Sequence, residues 1–411
     1  MTPRQSKCRA IFIGLLFILL VAGCAPTSSF DRHLNSIVRP YLFSFVSWEY
    51  TALGHEVRQW AVGSREQIDD EVRAVVDYFA ATKKLKALRA EMAELRDRPP
   101  ELATLQVEVN RLQERKLALR NAVEKIIEKQ VRDALTQQGI FNPVEKYTGL
   151  KVTFPPVNFK LEKPPCVLVV SPRDRIESTR EITLRPDLSL AEMEDIEART
   201  DELGVSSLVV EIGGLGATYP TLVADDASLR STLDAVAEEW LHQYLAFKPL
   251  GFLYVLDLTG LSRNYEIATI NETVASMVSK EIGSIIYDRY YRQHESRDPR
   301  GQAPETEFDF NREMRDIRKA VDTFLARGEI ERAEEFMEQK RQYLASKGHY
   351  TRKLNQAYFA FHGTYADDPT SVSPIGLELR ELRAQSTSLK DFLATAAAIT
   401  SRNRLRNIIA R

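Results

Sequence analysis

Cysteine is scarce in this chain, with three in 411 residues. That excludes a disulfide framework as the basis of the fold. Cys166 lies in "CVLVV", which reads as a buried strand, so it is a core residue rather than a nucleophile. Net charge is also missing, at -2 overall, which argues against nucleic acid as a partner. No apolar stretch suits a bilayer span. The N-terminal run "AIFIGLLFILLVA", Ala10 to Ala22, has about 13 residues where a spanning helix needs about 20. A phosphate loop is absent too, because "GGLG" lacks the lysine, the Ser/Thr and the third glycine of the known motifs. His33, His294 and His349 do not form a ligand cluster, and no internal repeat is evident.

What is present begins with targeting. Arg4, Lys7 and Arg9 precede the apolar run, which ends in "LVAGC". This resembles a bacterial lipoprotein lipobox. The resemblance implies a signal peptide over 1–23, cleavage before Cys24, and lipid of the palmitate type on its sulfur and new amino terminus. Ala25 after the cysteine favours the outer membrane, facing the periplasm. The alternatives are an uncleaved anchor helix and a plain secretory signal with an incidental cysteine. With Cys8 removed and Cys24 acylated, Cys166 has no partner for an intramolecular disulfide.

Residues 24–64 read as a tether with a helical segment that packs on the body. Over 65–139 the composition shifts to Ala, Leu, Glu, Lys, Arg and Gln. Leu85, Leu88, Met92 and Leu95 alternate three and four apart, and the pattern resumes from Leu102 after "DRPPE". Pro99 and Pro100 cannot continue a helix interior, and the two sets are out of phase, so a turn is expected there. The result is a coiled-coil-like antiparallel hairpin with arms of roughly 50 Å, closed by Gly139. Lys116 interrupts its seam. Short strands "VNFKL", "CVLVV" and "REITL" follow within 140–225, then a helix from Ser189 to Gly204. "SSLVVEIGGLGATYPTLV" reads as a buried strand running into a glycine-rich strand or turn, where Gly213, Gly214 and Gly216 permit close approach. From 226 to 411 the chain is mostly helical. The expected fold class is α+β, mainly helical: a long hairpin plus a small mixed sheet packed on a helical half.

Chemistry concentrates in "AEEWLHQYLAF". Glu238 and His242 are four apart, so on a helix both face one point. Glu239 stands where the general base of H-E-x-x-H zinc peptidases stands. On a helical wheel these three residues also form an ordinary polar face. "TINETVASMVSKEIG" begins a second helix about thirty residues on, with Asn271-Glu272 and Ala275. "RKLNQAYFAFHGTYA" carries Asn355, Tyr358, His362 and Tyr365. The "GHEVRQW" segment is a decoy, because Gln59 stands where a second histidine is needed.

The ordered set of glycine strand, E-E-x-x-H, N-E-x-x-A and N-x-A-Y resembles bacterial envelope proteins of the gluzincin type, zinc (amino)peptidases, over roughly Leu208 to Leu393. The resemblance implies a zincin-like helical half with Glu238, His242 and Glu272 as metal ligands. Glu239 would be the base, and Tyr365 or His362 the donor to an oxyanion. It also implies an edge strand at Gly213 and Gly214 that aligns a peptide, with Asn355 and Tyr358 on the substrate side. Zinc is the implied metal. Glu238 in place of histidine lowers the charge of the site, so manganese or no metal are alternatives. Three readings follow: a membrane-tethered metal-dependent peptidase-like hydrolase, an inactive pseudo-peptidase that binds peptide or protein, and an envelope scaffold whose hairpin holds a protein partner.

Overall fold

The structure is a computed structural model that describes residues 28–44, 70–94, 99–294 and 308–410. Cys24 with the signal segment, and the His55-Glu56-Gln59 decoy, lie outside the described residues. Within them the class is α+β and mainly helical, with two three-stranded sheets. No helix among them is long and apolar enough to cross a membrane.

Helix α1 (Ser29–Val38) starts where the Ser28 hydroxyl accepts the Asp31 amide, and it buries Leu34, Ile37 and Val38. Helices α2 (Glu71–Glu94) and α3 (Pro99–Gln137) form the expected hairpin. Ion pairs Lys129–Glu71, Arg115–Asp77 and Lys84–Glu108 run in opposite directions along the two arms, so they are antiparallel. The arms are unequal: α2 has 24 residues and α3 has 39, or about 36 and 58 Å. Gly139 beyond α3 takes φ 70°, as a helix stop requires. Half of the hairpin is not an arm at all. Val75, Tyr78, Val123, Ile127, Val131 and Leu135 belong to the main core, with Trp240, Ile270 and Val274. Lys116 breaks the apolar seam for a reason: it is buried, and its ammonium bonds the carbonyl and carboxylate of Asp225.

In place of one mixed sheet there are two sheets. The first is antiparallel, with β2 (Cys166–Pro172) between β3 (Arg180–Leu184) and β4 (Val205–Glu211). The period-2 alternation of β2 explains its two covers. Cys166, Leu168 and Val170 face α1 and α5 (Leu190–Asp201), while Val167 and Val169 face Ala357 of α11 (Gln356–His362). Burial pushes the Cys166 thiol up to about 11, which suits a core residue. The second sheet is mixed: β1 (Phe159–Leu161) lies parallel to β6 (Thr221–Val223), and β5 (Gly214–Leu215) pairs antiparallel with β6. The chain changes sheets between Glu211 and Gly214. Buried Glu124 of α3 accepts the Leu161 amide and the Lys160 ammonium, tying the hairpin to this sheet.

The remaining helices are α4 (Glu145–Thr148), α6 (Leu229–Leu245), α7 (Pro249–Leu258), α8 (Tyr265–Tyr290), α9 (Phe310–Ala326), α10 (Ile330–Ser346), α12 (Pro374–Gln385), α13 (Leu389–Ala396) and α14 (Arg402–Ile409). The apolar stretch "PLGFLYVLDL" is thus a helix, α7, with Pro249 in its first turn. Helix α8 is the axis of this half, packed by α6, α7, α12 and α13.

Candidate metal centre

Two capped helices set the frame. Ser228 accepts the Ser231 amide at the start of α6, and Asn264 accepts the Ile267 amide at the start of α8. The apolar side of α6, including Leu233, Val236, Ala237, Trp240 and Leu241, is fully buried. Its other side meets α8, which is buried on nearly every face. Glu238, Glu239 and His242 on that side are therefore half-buried rather than part of an open solvated face. Glu238 and His242, one turn apart, converge with Glu272 of α8. One ligand atom from each lies within 4.8 Å of the others. His242 Nε2 and Glu272 Oε2 are 3.5 Å apart. Ligand atoms around a tetrahedral cation with bonds of 2.0–2.2 Å are roughly 3.4 Å apart, so the group is near coordinating size.

Each ligand has a supporting group. The Tyr254 hydroxyl on α7 donates to Glu272 Oε1, which leaves Oε2 for the centre. Asn271 Nδ2 lies 3.1 Å from His242 Nδ1, and the Oδ1 of the same amide is buried without a partner. Turning that amide end for end would pair Oδ1 with an Nδ1–H proton. His242 Nε2 would then present a lone pair to the carboxylates, which is the tautomer a metal needs. Glu238 Oε1 is buried and makes no hydrogen bond among the described residues. A buried carboxylate oxygen in that state needs a proton or a cation. Burial first, then the charges of Glu272 and Glu239, hold the Glu238 carboxyl well above the usual range. The donor set therefore fits a divalent cation, with two carboxylates and one imidazole, as for the softer-to-harder range from zinc to manganese.

Glu239 points away from this trio, against the glycine strand. A Cβ at Gly214 would lie 2.3 Å from Glu239 Oε1, and one at Gly216 would lie 2.8 Å from Oε2. The two glycines thus make room for the carboxylate, and the Gly216 amide donates to it. One turn on, the Gln243 amide donates to the Gly216 and Thr218 carbonyls, fixing the strand over α6. Burial, and then Glu272, push Glu239 up to about 8. Strand β5 pairs with β6 on one side, and among the described residues no strand takes its other side. Tyr365 lies within electrostatic reach of the same three carboxylates. Burial and the charges of Glu272, Glu238 and Glu239 raise its phenol well above 10. Its hydroxyl makes no hydrogen bond among the described residues.

Compared with protein-family models, curated proteins and solved structures, the chain gives no match.

The structure brings together Glu238, Glu239, His242, Glu272, Gly214 and Tyr365. It does not bring the other expected residues there. His362 is exposed, with its ring 4.3 Å from that of Tyr358, in a cleft also lined by Tyr265, Arg318 and Phe359; none of the three carboxylates lines it. Asn355 is engaged in the fold. It caps α11 by accepting the Tyr358 amide, and its own amide donates to the Ser207 carbonyl of β4. The Gly213 carbonyl is taken by the Ala224 amide. Two residues of the centre escaped the sequence reading in their roles: Tyr254, hidden in an apolar stretch, and Asn271, whose side chain the motif names without saying what it touches.

Proposed function

We propose that this protein is a membrane-tethered, metal-dependent peptidase-like hydrolase of the bacterial cell envelope. The observation that carries this is the convergence of Glu238, His242 and Glu272 from two helices, with one carboxylate oxygen buried and unpartnered among the described residues. These three residues would hold the cation, with zinc first and manganese as the carboxylate-favouring alternative. A divalent cation held there supplies Lewis acidity, which polarises a carbonyl and acidifies water.

The chain's own residues supply the rest. Glu239 lies beside the ligand trio, one residue on from Glu238, in the place of a general base. It would take a proton from the attacking water and pass it to the leaving amine. The free edge of β5 would hold an extended peptide by strand addition, directly above Glu239. The Tyr365 hydroxyl is a donor without a partner among the described residues, suited to an oxyanion. Tyr254 would keep Glu272 oriented. The lipid on Cys24 would tether the whole to the membrane.

A second reading rests on the same carboxylates. Two glutamates and a neutral imidazole cancel the charge of a divalent cation, which weakens its acidity. The protein would then be a pseudo-peptidase that binds peptide without cleaving it. Metal analysis of the purified protein, with hydrolysis of internally quenched peptides by wild type and Glu239→Gln, separates the two. The hydrolase reading expects stoichiometric metal, cleavage by wild type, and its loss in the variant. Metal-free, inert protein that still binds peptide would leave only the second.

A further inference from the structure

The loop after α11 runs along α8, and α8 holds it through side chains on one face. Thr273 is fully buried. Its hydroxyl donates to the Thr364 carbonyl at 3.2 Å and accepts the Ala366 amide at 2.9 Å. One hydroxyl therefore ties the main chain immediately before and immediately after Tyr365. Ser276 and Lys280, further along the same face, both bond Asp367, at 3.0 and 2.5 Å. At the near end the Tyr265 hydroxyl donates to the Ala360 carbonyl. From the other side α12 closes on the loop: a Cβ at Gly376 would lie 1.9 Å from the Ala366 carbonyl oxygen. Thr273 is also the next residue after Glu272. The same turn of α8 that would hold the cation thus fixes where the Tyr365 phenol stands.

We infer that Thr273 is a positioning residue that sets Tyr365 against the carboxylates by clamping the main chain on both sides of it. The inference rests on the hydrolase reading for its catalytic consequence, but not for the clamp itself. A hydroxyl that both donates and accepts cannot be replaced by a methyl without releasing one carbonyl and one amide. A displacement of about 1 Å in a reacting group costs about 10²-fold in rate.

The test compares wild type, Thr273→Val, Thr273→Ser, Tyr365→Phe and the Val/Phe double variant. Readouts are kcat and KM on the internally quenched peptide that wild type cleaves fastest, zinc affinity by calorimetry, and the ¹⁹F resonance of a 3-fluorotyrosine placed at position 365 alone. The inference expects Thr273→Val to lower kcat about 10- to 100-fold, with KM and zinc affinity within about threefold. Thr273→Ser restores kcat, and Thr273→Val adds no loss to Tyr365→Phe. The ¹⁹F line shifts or broadens in Val and not in Ser. An unchanged line with unchanged kcat overturns it. So does a fall in kcat that follows lost zinc affinity and adds to Tyr365→Phe, which would mean action through Glu272. If Thr273→Val does not fold, Thr273→Ala gives the same comparison. If wild type cleaves nothing, the hydrolase reading fails, and the ¹⁹F line alone decides the clamp.

Discussion

Two of the clusters of buried carboxylates among the described residues are treated in opposite ways. Glu197 on α5 is buried, and its oxygens accept both guanidinium nitrogens of Arg352 at 2.7 Å and the Val209 amide at 2.7 Å. Beside it Asp201 accepts the Lys353 ammonium and the Ser207 amide and hydroxyl. Every acid there has a cation. Around α6 and α8 two carboxylates, Glu238 and Glu272, share one imidazole, with a third, Glu239, beside them against the glycine strand, and no arginine or lysine hydrogen-bonds the three among the described residues. The first cluster joins α5, β4 and the segment before α11, and its charges are balanced within the fold. The second keeps its charges unbalanced, which is costly to maintain unless something outside the chain completes it. Burial is common to both; compensation is what separates a fold-holding cluster from a candidate site.

The largest effect should come from Glu239→Gln. If the unbalanced cluster is catalytic, hydrolysis falls by about 10³-fold or more, measured as kcat/KM. The same variant has a readout without activity. In the metal-free protein Glu239 is raised from 4.5 to about 8. The folded state then binds this proton more tightly than the unfolded chain does. Stability is therefore present below the unfolded value and is lost as pH rises from about 4.5 to about 8. Glu239→Gln removes one proton's share of that slope, at most about 1.4 kcal/mol per pH unit. Thermal melts between pH 5 and 8 with chelator present check it, and an unaltered slope would contradict the burial of this acid.

The balanced cluster should fail differently. Arg352→Met leaves Glu197 as a buried acid without its bidentate partner. The expected loss is about 3–5 kcal/mol of stability by denaturant unfolding, with zinc affinity of the folded fraction unchanged. A loss of zinc binding at full stability would erase the contrast between the clusters. Smaller again is Glu238→His, which restores an imidazole and one unit of positive charge to the loaded site. Zinc should bind about tenfold tighter, read by competition with a chelating dye. A weaker affinity would mean that the site is built around the carboxylate and the harder cation.

Much of this was legible in the sequence, for identifiable reasons. The capping box of Ser189 with Glu192 and the stop at Gly204, φ 83°, are local chemistry. The hairpin followed from heptads broken by Pro99 and Pro100. Glu238 and His242 follow from helical spacing alone, and they do face one point. What local patterns could not give was burial. The helical wheel of α6 shows a polar side, and only the packing of α8 decides whether solvent or Glu272 lies there. Nor could spacing separate His362 from Tyr365. They are three apart in sequence, yet α11 ends between them, so one falls on the surface and the other on the carboxylates. Tyr254 left no signal, because an aromatic residue in an apolar helix looks like core. The two sheets were read as one, since the switch after Glu211 depends on Glu239 and Gln243 drawing the glycines onto α6.

The smallest prediction probes the far end of the same polar seam. Asp234 lies one turn before Glu238, where α8 packs close against α6: a Cβ at Gly283 would lie 1.9 Å from Asp234 Oδ1. That oxygen is buried without a partner among the described residues, and burial raises the carboxyl to about 6, opposed by Arg230 and Lys280. The carboxyl is thus raised above its ordinary 3.8, and its contribution to stability fades as pH climbs from about 3.8 to about 6. Asp234→Asn keeps the shape and removes the charge. It should raise the melting temperature at pH 7.5 by about 1–2 °C and leave it unchanged at pH 4, a modest gain because the group is partly exposed and solvent screens it. Peptide hydrolysis should not change. If instead the variant lowers the melting temperature at pH 7.5, the Arg230 and Lys280 charges outweigh desolvation. The seam would then be balanced at this end, and only the turns around Glu238 and Glu272 would remain open to a cation.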